Sequence, residues 1–287
     1  MSAIAFFGPT GGCANACLTH TLLNGHKVIA LARTPSKLTK QLLSQPGLTT
    51  EILNTQLKII QGDAMDIETV MKTVIVSEPE FEKSQPKLVN MIISGIGGTG
   101  SMAYTKPFQC DKMNIRVPAL PHIEIPNPHV TEEFTTTLLA ALGRIAGMFD
   151  SFAEYATVAP RVMFISGTGI KEGVNDVPYW FKKMYDLLLP IPHEDKKKME
   201  ALLEDERMKR ESLLVGGLII VRPSFLSGDH RIASVSDDGF ERLRVGTEKE
   251  PAVGYMVPRA WVGRWMFEEV VKNGGDQWVG EGVILTT

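Results

Sequence analysis

The chain has 287 residues, 44% of them hydrophobic and 22% charged, with a formal net charge of −3. This is a globular composition, long enough for one large α/β domain or two small ones with a substantial buried core. It argues against the basic field of a nucleic-acid binder, and no apolar run approaches the roughly 18 residues that a bilayer span needs. Cys13, Cys17 and Cys110 form neither an even-numbered framework nor a CxxC pair, so they read as free thiols of a reducing compartment. Met1-Ser2 runs straight into an apolar stretch with no basic leader ahead of it, and the expected location is the cytoplasm.

Ala3 to Phe7 predicts a short buried strand that stops at Gly8. The segment from Gly11 to about Asn24 predicts a helix with Ala14, Cys17, Leu18 and Leu22 on one face, and Lys27 to Ala32 a second buried strand. Together they make one βαβ unit. The alternation continues with a helix over 35–44, a strand over 57–60, a helix over 66–76 capped by Asp66, and a strand over 88–94 that runs into Gly95-Ile96-Gly97-Gly98. Pro107, Pro118, Pro121, Pro126 and Pro128 then forbid a long helix or central strand, which predicts an irregular, substrate-facing insert over 100–128.

Regularity returns with a helix over 131–146, a strand over 161–166, a helix over 194–212 and a strand over 218–222 ended by Pro223. Lys196-Lys197-Lys198, flanked by Glu194, Asp195 and Glu200, reads as a solvated helix face. A strand over 242–245, a helix over 259–272 and a strand over 282–285 complete the chain. No repeat or linker divides it. The expected architecture is one doubly wound α/β domain, a mostly parallel sheet of about seven strands with helices on both faces. Segments at about 100–128, 170–192 and 224–258 would cover a substrate.

The first turn reads Gly8-Pro9-Thr10-Gly11-Gly12-Cys13-Ala14. In such a turn Gly8 permits the tight exit from the strand and Gly11 admits a pyrophosphate close to the backbone. Ala14 keeps the helix near the strands, and the helix N–H groups at Gly12 and Cys13, with Thr10 beside them, face the phosphate charge. The second strand ends on Arg33, followed by Thr34, Ser36 and Lys37, where an NAD-binding chain would carry an acidic residue. A guanidinium there suits a 2′-phosphate and predicts NADP(H); the bland alternative is an arginine stem lying at a strand end. Asp63 and Ala64 would face the adenine edge, with Ser94 and Gly95 along the dinucleotide. Cys13, at a helix N-terminus, is expected to have a lowered thiol pKa, though its role reads as that of a small turn residue.

These residues, together with Leu31 to Leu38, Gly62-Asp63, Ile165-Ser166-Gly167 and Val221-Arg222-Pro223-Ser224, resemble the short-chain dehydrogenase/reductase superfamily. The nearest likeness is to its atypical branch of NmrA-like proteins, biliverdin and flavin reductase-like enzymes, and averufin-oxidase-like proteins of fungal secondary metabolism. The resemblance covers essentially the whole chain and implies a Rossmann fold. It also implies that Ser166, Gly167 and Thr168 lie beside the nicotinamide, with Lys197 on its ribose and Pro223 and Ser224 among the cofactor-binding residues.

Active members of the superfamily use a Ser, a Tyr and a Lys four residues after the Tyr. Tyr179 and Lys183 have that spacing, with Ser166 upstream, but Pro190 and Pro192 separate them from the strand ending at Arg222. His193 and Lys197 are the better-placed alternative, because they share a helix face and an imidazole can carry a proton near neutral pH. The bland reading leaves His193 capping a surface helix and Lys197 solvated. Tyr179, Trp180 and Tyr185 could instead line the substrate pocket, as could Met102, Tyr104 and Phe108. His122 and His129 have no metal-ligand spacing, and no metal is expected.

The expectation from sequence is an NADPH-dependent oxidoreductase acting on an apolar, aromatic or polyketide-like small molecule, with neither nucleic acid nor membrane as partner. An NADP(H)-sensing, NmrA-like regulator without catalysis stays open, as does a cyclase or isomerase that keeps the cofactor in its site. Monomer and homodimer are equally open.

Overall fold

The computed structural model describes residues 3–77, 85–98, 126–178, 190–209, 213–234 and 237–287, together with the backbone of four short strands between 101 and 124. The central sheet has eight strands: β1 (Ala3–Phe7), β2 (Lys27–Ala32), β3 (Leu57–Gln61), β4 (Met91–Ser94), β5 (Arg161–Ile165), β6 (Gly217–Pro223), β7 (Arg244–Gly246) and β8 (Gly282–Thr286). Their spatial order is β7-β8-β6-β5-β4-β1-β2-β3, parallel throughout except for the antiparallel pair β7 and β8. Chain order reverses between β1 and β4, so the crevice at their carboxyl ends is the place where a doubly wound sheet binds its ligand.

Both faces of the sheet are covered, which is why its strands are apolar without alternation. On β1, Ile4 and Phe6 point to one face, where they meet α1 (Gly12–Leu23), α2 (Pro35–Leu43) and α8 (Arg259–Trp265) through Leu18, Leu22, Leu38, Leu42, Val262 and Trp265. Ala3, Ala5 and Phe7 point to the other, against α4 (Ile67–Val74), α5 (Val130–Ala146) and α7 (Pro190–Met208). There Phe134 stands between Phe7 and Phe164, with ring centroids 5.0 and 6.0 Å away. Each such fully buried ring contributes about 2–3 kcal/mol.

Several elements differ from the sequence reading. The insert over 100–128 is not irregular: 101–104 pairs antiparallel with 121–124, and 108–110 with 115–117. Its prolines forbid central strands but not short hairpin strands, and Pro121 stands first in its strand, where a missing N–H costs least. The run 88–94 divides: Lys87–Leu88 pairs with Ile75–Ser77, which ends α4 at Val74, and Met91–Ser94 alone enters the central sheet. Two short helices, α3 (Thr50–Gln56) and α6 (Phe152–Val158), lacked a periodic pattern long enough to see; side-chain caps from Thr49 and Ser151 begin them. The helix after Arg259 continues beyond Trp265 as π-helix over Met266–Lys272.

Helix α7 carries the largest correction. It starts at Pro190 rather than Glu194, since prolines in a first turn cost no hydrogen bond. Its charged run is a solvated face only in part: Glu194 and Lys197 are exposed, but other members turn inward. Asp195, Glu200 and Glu206 are buried with Met199 and Leu203, and each carboxylate has partners. Asp195 accepts from the N–H groups of Thr131 and Glu132 at 3.0 and 2.9 Å, capping α5. Glu200 takes Arg222, and Glu206 takes the Leu214 N–H at 2.6 Å and Lys209 at 2.7 Å.

Candidate functional site

The exit of β1 builds the first half of the site. Gly8 has φ +64°, and a Cβ there would stand 2.7 Å from the Ile96 nitrogen, so only glycine fits. The Gly11 N–H closes the turn on the Gly8 carbonyl at 3.0 Å, and Gly11 then caps α1 with no side-chain bond. The first N–H groups of α1 therefore face outward with the positive end of the helix dipole behind them. Buried Asn15 pins the turn by donating to the Pro9 carbonyl at 2.9 Å. Ala14 packs so closely that a Cβ on Gly95 would lie 2.4 Å from its own.

A groove of about 300 Å³ opens over this turn. Gly8, Pro9, Thr10 and Gly11 line one wall, and Arg33, Thr34 and Lys37 stand at the end of β2; Asp63, Ala64 and Gly95 are also in the lining. Ser36 is exposed on the first turn of α2 and is not part of it. Ser94 is buried at the end of β4, its hydroxyl 3.4 Å from the Ile96 N–H. Asp63 accepts from the Met65 N–H at 3.1 Å, shaping the turn after β3.

Beyond Gly11 the carboxyl ends of β5 and β6 meet α7. Lys196, not Lys197, is the lysine brought here: its Nζ donates to the Ser166 carbonyl at 2.6 Å. Gly167 leaves it room, since a Cβ at that position would be 3.4 Å from Nζ. The stem of Lys196 is partly exposed but its ammonium is enclosed. Burial holds its pKa below the usual lysine range, against the raising effects of Glu200, Cys13 and Asp195. The Ser166 hydroxyl is buried and, among the described residues, has no hydrogen-bond partner. Lys197, 100° further round the helix, is exposed and lines a separate 420 Å³ cleft with Lys171, Glu172 and Glu204. His193 is half-buried one turn before Lys197 on that same outer face.

Other expected residues fall into place around this centre. Cys13 is buried under the turn, and its thiol is pushed up to about 12 by burial, which outweighs the lowering effects of Arg259 and Lys196. This reverses the expected lowering, because a helix end acts strongly only on a thiol that water can also reach. Pro223 ends β6 with its carbonyl accepting from the Thr168 N–H at 3.1 Å. Ser224 turns its hydroxyl to Thr286 at 2.9 Å, into the sheet rather than the groove. Tyr179, Trp180 and Tyr185 lie outside the described residues, as do the side chains of Met102, Tyr104 and Phe108. Among the described residues no cluster of His, Cys, Asp and Glu could hold a metal ion, and no helix is long and apolar enough to cross a membrane.

No protein-family model matches the chain. It is 43% identical to the oxidase pynE of Aspergillus niger, over 99% of this chain and 98% of that protein. It is also 35% identical to the reductase pytE of Aspergillus terreus, over 99% and 97%. The chain belongs to the family of pynE and pytE. The fold of this family is that of the short-chain dehydrogenase/reductases. A solved member from Veillonella parvula, in complex with NADP, superposes with a TM-score of 0.61 at 13% identity, over 100% of this chain and 94% of that one. The anaerobillin reductase ChuY of Escherichia coli O157:H7 gives 0.56 at 17% identity, over 99% and 97%.

In this pynE-like chain the lysine at the site, Lys196, follows Pro192 by four residues, so the Tyr-x-x-x-Lys pattern lacks its tyrosine here. Spacing alone favoured Lys197 because His193 precedes it. The signal that would have selected Lys196 was Glu200, four residues on, with Arg222 at the end of the next strand as its partner. Two further residues escaped the sequence reading. Asp176 reaches back to the Gly169 N–H at 2.9 Å, and burial raises its carboxyl pKa. Arg259, at the start of α8, lies against Gly12.

Proposed function

We propose that this protein is an NADPH-dependent oxidoreductase acting on an apolar, aromatic or polyketide-like small molecule. One observation carries the reading: a groove with Arg33 and Lys37 at the end of β2 opens over the glycine turn that starts α1, and just past β5 the Ser166 hydroxyl, without a partner among the described residues, lies where Lys196 donates to the Ser166 carbonyl. These donors suit a 2′-phosphate, a pyrophosphate and a nicotinamide ribose in that order. The redox names of both relatives support the same reading. NADP(H) supplies the hydride when bound. Arg33, with Lys37, holds the 2′-phosphate, and Thr10, Gly11 and Gly12 receive the pyrophosphate.

The chain's own residues then serve the carbonyl end. The Ser166 hydroxyl, without a partner among the described residues, can donate to a developing oxyanion. Lys196 orients the ribose and supplies positive charge where the proton must arrive. The experiment is NADPH oxidation across a panel of carbonyls and quinones. Turnover with NADPH preferred over NADH supports the reading.

A second reading rests on Pro192. With no tyrosine four residues before Lys196, an NADP(H)-sensing protein without catalysis is also consistent with the site. Tight binding of NADPH and NADP⁺ alike, with no turnover on the panel and a stable protein partner in pull-downs, would favour it.

A further inference from the structure

Helix α8 delivers a cation to the glycine turn. Arg259 is its first residue, and α8 packs tightly on α1: a Cβ on Gly263 would lie 2.5 Å from that of Ala16. The Arg259 stem crosses Gly12, where a Cβ would stand 2.2 Å from the arginine Cδ and 3.1 Å from Nε. Nη1 donates to the Gly228 carbonyl at 2.6 Å, and the charge reaches Cys13, lowering its pKa against the effect of burial. Among the described residues no carboxylate pairs with Arg259.

That arrangement is electrostatically incomplete. The N-terminus of α1 carries about half a positive charge, its capping residue brings no side-chain acceptor, and a guanidinium with no carboxylate partner among the described residues has been set beside it. Two like charges brought together by tight packing repel unless an anion lies between them. Arg33 and Lys37 line the groove at the end of β2, where the 2′-phosphate is assigned.

We propose that Arg259 is the cationic arm that closes on the cofactor's pyrophosphate, and that Gly12 is glycine to let that arm cross the turn. The inference rests on the reading of the groove as an NADP(H) site. Through its bond to the Gly228 carbonyl, the same side chain ties the segment following β6 to the phosphate turn.

The test compares two ligands by calorimetric titration at fixed salt: NADP⁺, and adenosine 2′-monophosphate, which has the 2′-phosphate but no pyrophosphate. Arg259→Gln should weaken NADP⁺ about ten- to a hundredfold and leave the monophosphate within about twofold, as expected for one lost charge-assisted contact. Arg33→Gln should weaken both ligands. Arg259→Lys should restore part of the NADP⁺ affinity. Gly12→Ala reaches the contact from the other side, so its effect and that of Arg259→Gln should be less than additive. NADP⁺ affinity unchanged in Arg259→Gln, or both ligands lost equally, overturns the proposal while leaving the cofactor reading intact. A wild-type protein that binds the monophosphate but not NADP⁺ overturns this proposal. Failure to bind either ligand overturns the cofactor reading and the proposal with it.

Discussion

Glu200 accepts two hydrogen bonds from Arg222, from Nε at 3.0 Å and from Nη2 at 2.8 Å, and it stands one helical turn after Lys196. The ion pair that ties α7 to β6 thus also sets the rotation of the helix that brings Lys196 to the Ser166 carbonyl. Both partners are almost fully buried, and Glu248 takes the remaining Nη1 at 2.6 Å. Removing one partner strands a buried charge. Arg222→Ala should therefore cost about 3–5 kcal/mol, read as a lower midpoint in urea unfolding. A paired apolar replacement, Arg222→Met with Glu200→Leu, should cost less than the sum of the single changes.

The two neighbouring lysines should separate sharply. Lys197→Met should leave NADPH affinity and turnover within about twofold, because an exposed side chain on the outer face contributes little. Lys196→Met should lower turnover by about tenfold or more through loss of a charged donor. Burial lowers the Lys196 pKa, so its charge is present at low pH and disappears as pH rises, at values below the ordinary lysine range. NADPH affinity of the wild type should weaken across that alkaline range. Lys196→Arg should abolish the decline, since a guanidinium stays charged. Equal effects of the two methionine variants would refute the assignment.

Cofactor choice should follow Arg33. It lines the groove with Thr34 and Lys37, and Asp63 is the acidic side chain in that lining. Arg33→Gln should lose about 10- to 100-fold in NADPH affinity while NADH affinity changes little. Fluorescence titration with both cofactors measures it. A parallel loss for both would mean that Arg33 supports the fold of the turn rather than the 2′-phosphate.

Cys13 should make the protein sensitive to alkali rather than to alkylation. Its folded pKa of about 12 is raised from an ordinary 9.0, so the folded state holds the proton where the unfolded chain has lost it. The stability from this group is fully present below about pH 9 and is lost as pH rises toward 12. Cys13→Ala should flatten the decline of the melting temperature over that window. At neutral pH the native thiol should react with iodoacetamide far more slowly than after unfolding. Rapid modification of the folded protein would refute the burial argument.

The features legible in the sequence are those that neighbouring residues settle among themselves. Gly8 to Ala14 form a turn at a strand end because a positive φ and the close approach of two backbones are demands on the residues of the turn itself. Arg33 sits at the end of β2 because the five apolar residues before it, Val28 to Ala32, define the strand. Alternating apolar runs and helical spacings were enough for a doubly wound sheet, and Asp66 announced its cap. The periodic signal failed where the buried face is not apolar. On α7 the inward side is written in Asp195, Lys196, Glu200 and Glu206, which look like solvent residues until Thr131, Ser166, Arg222 and Leu214 are folded against them.

So the sequence by itself determined the fold class, the glycine turn and the cation after the second strand, all short-range properties of the chain. Only the tertiary structure decided which of three consecutive lysines meets Ser166, that the Cys13 thiol is raised rather than lowered, and that Arg259 lies across Gly12 from more than 200 residues away. Those outcomes depend on helix rotation, on desolvation and on contacts between distant segments. Each exists only once the helices have docked on the sheet.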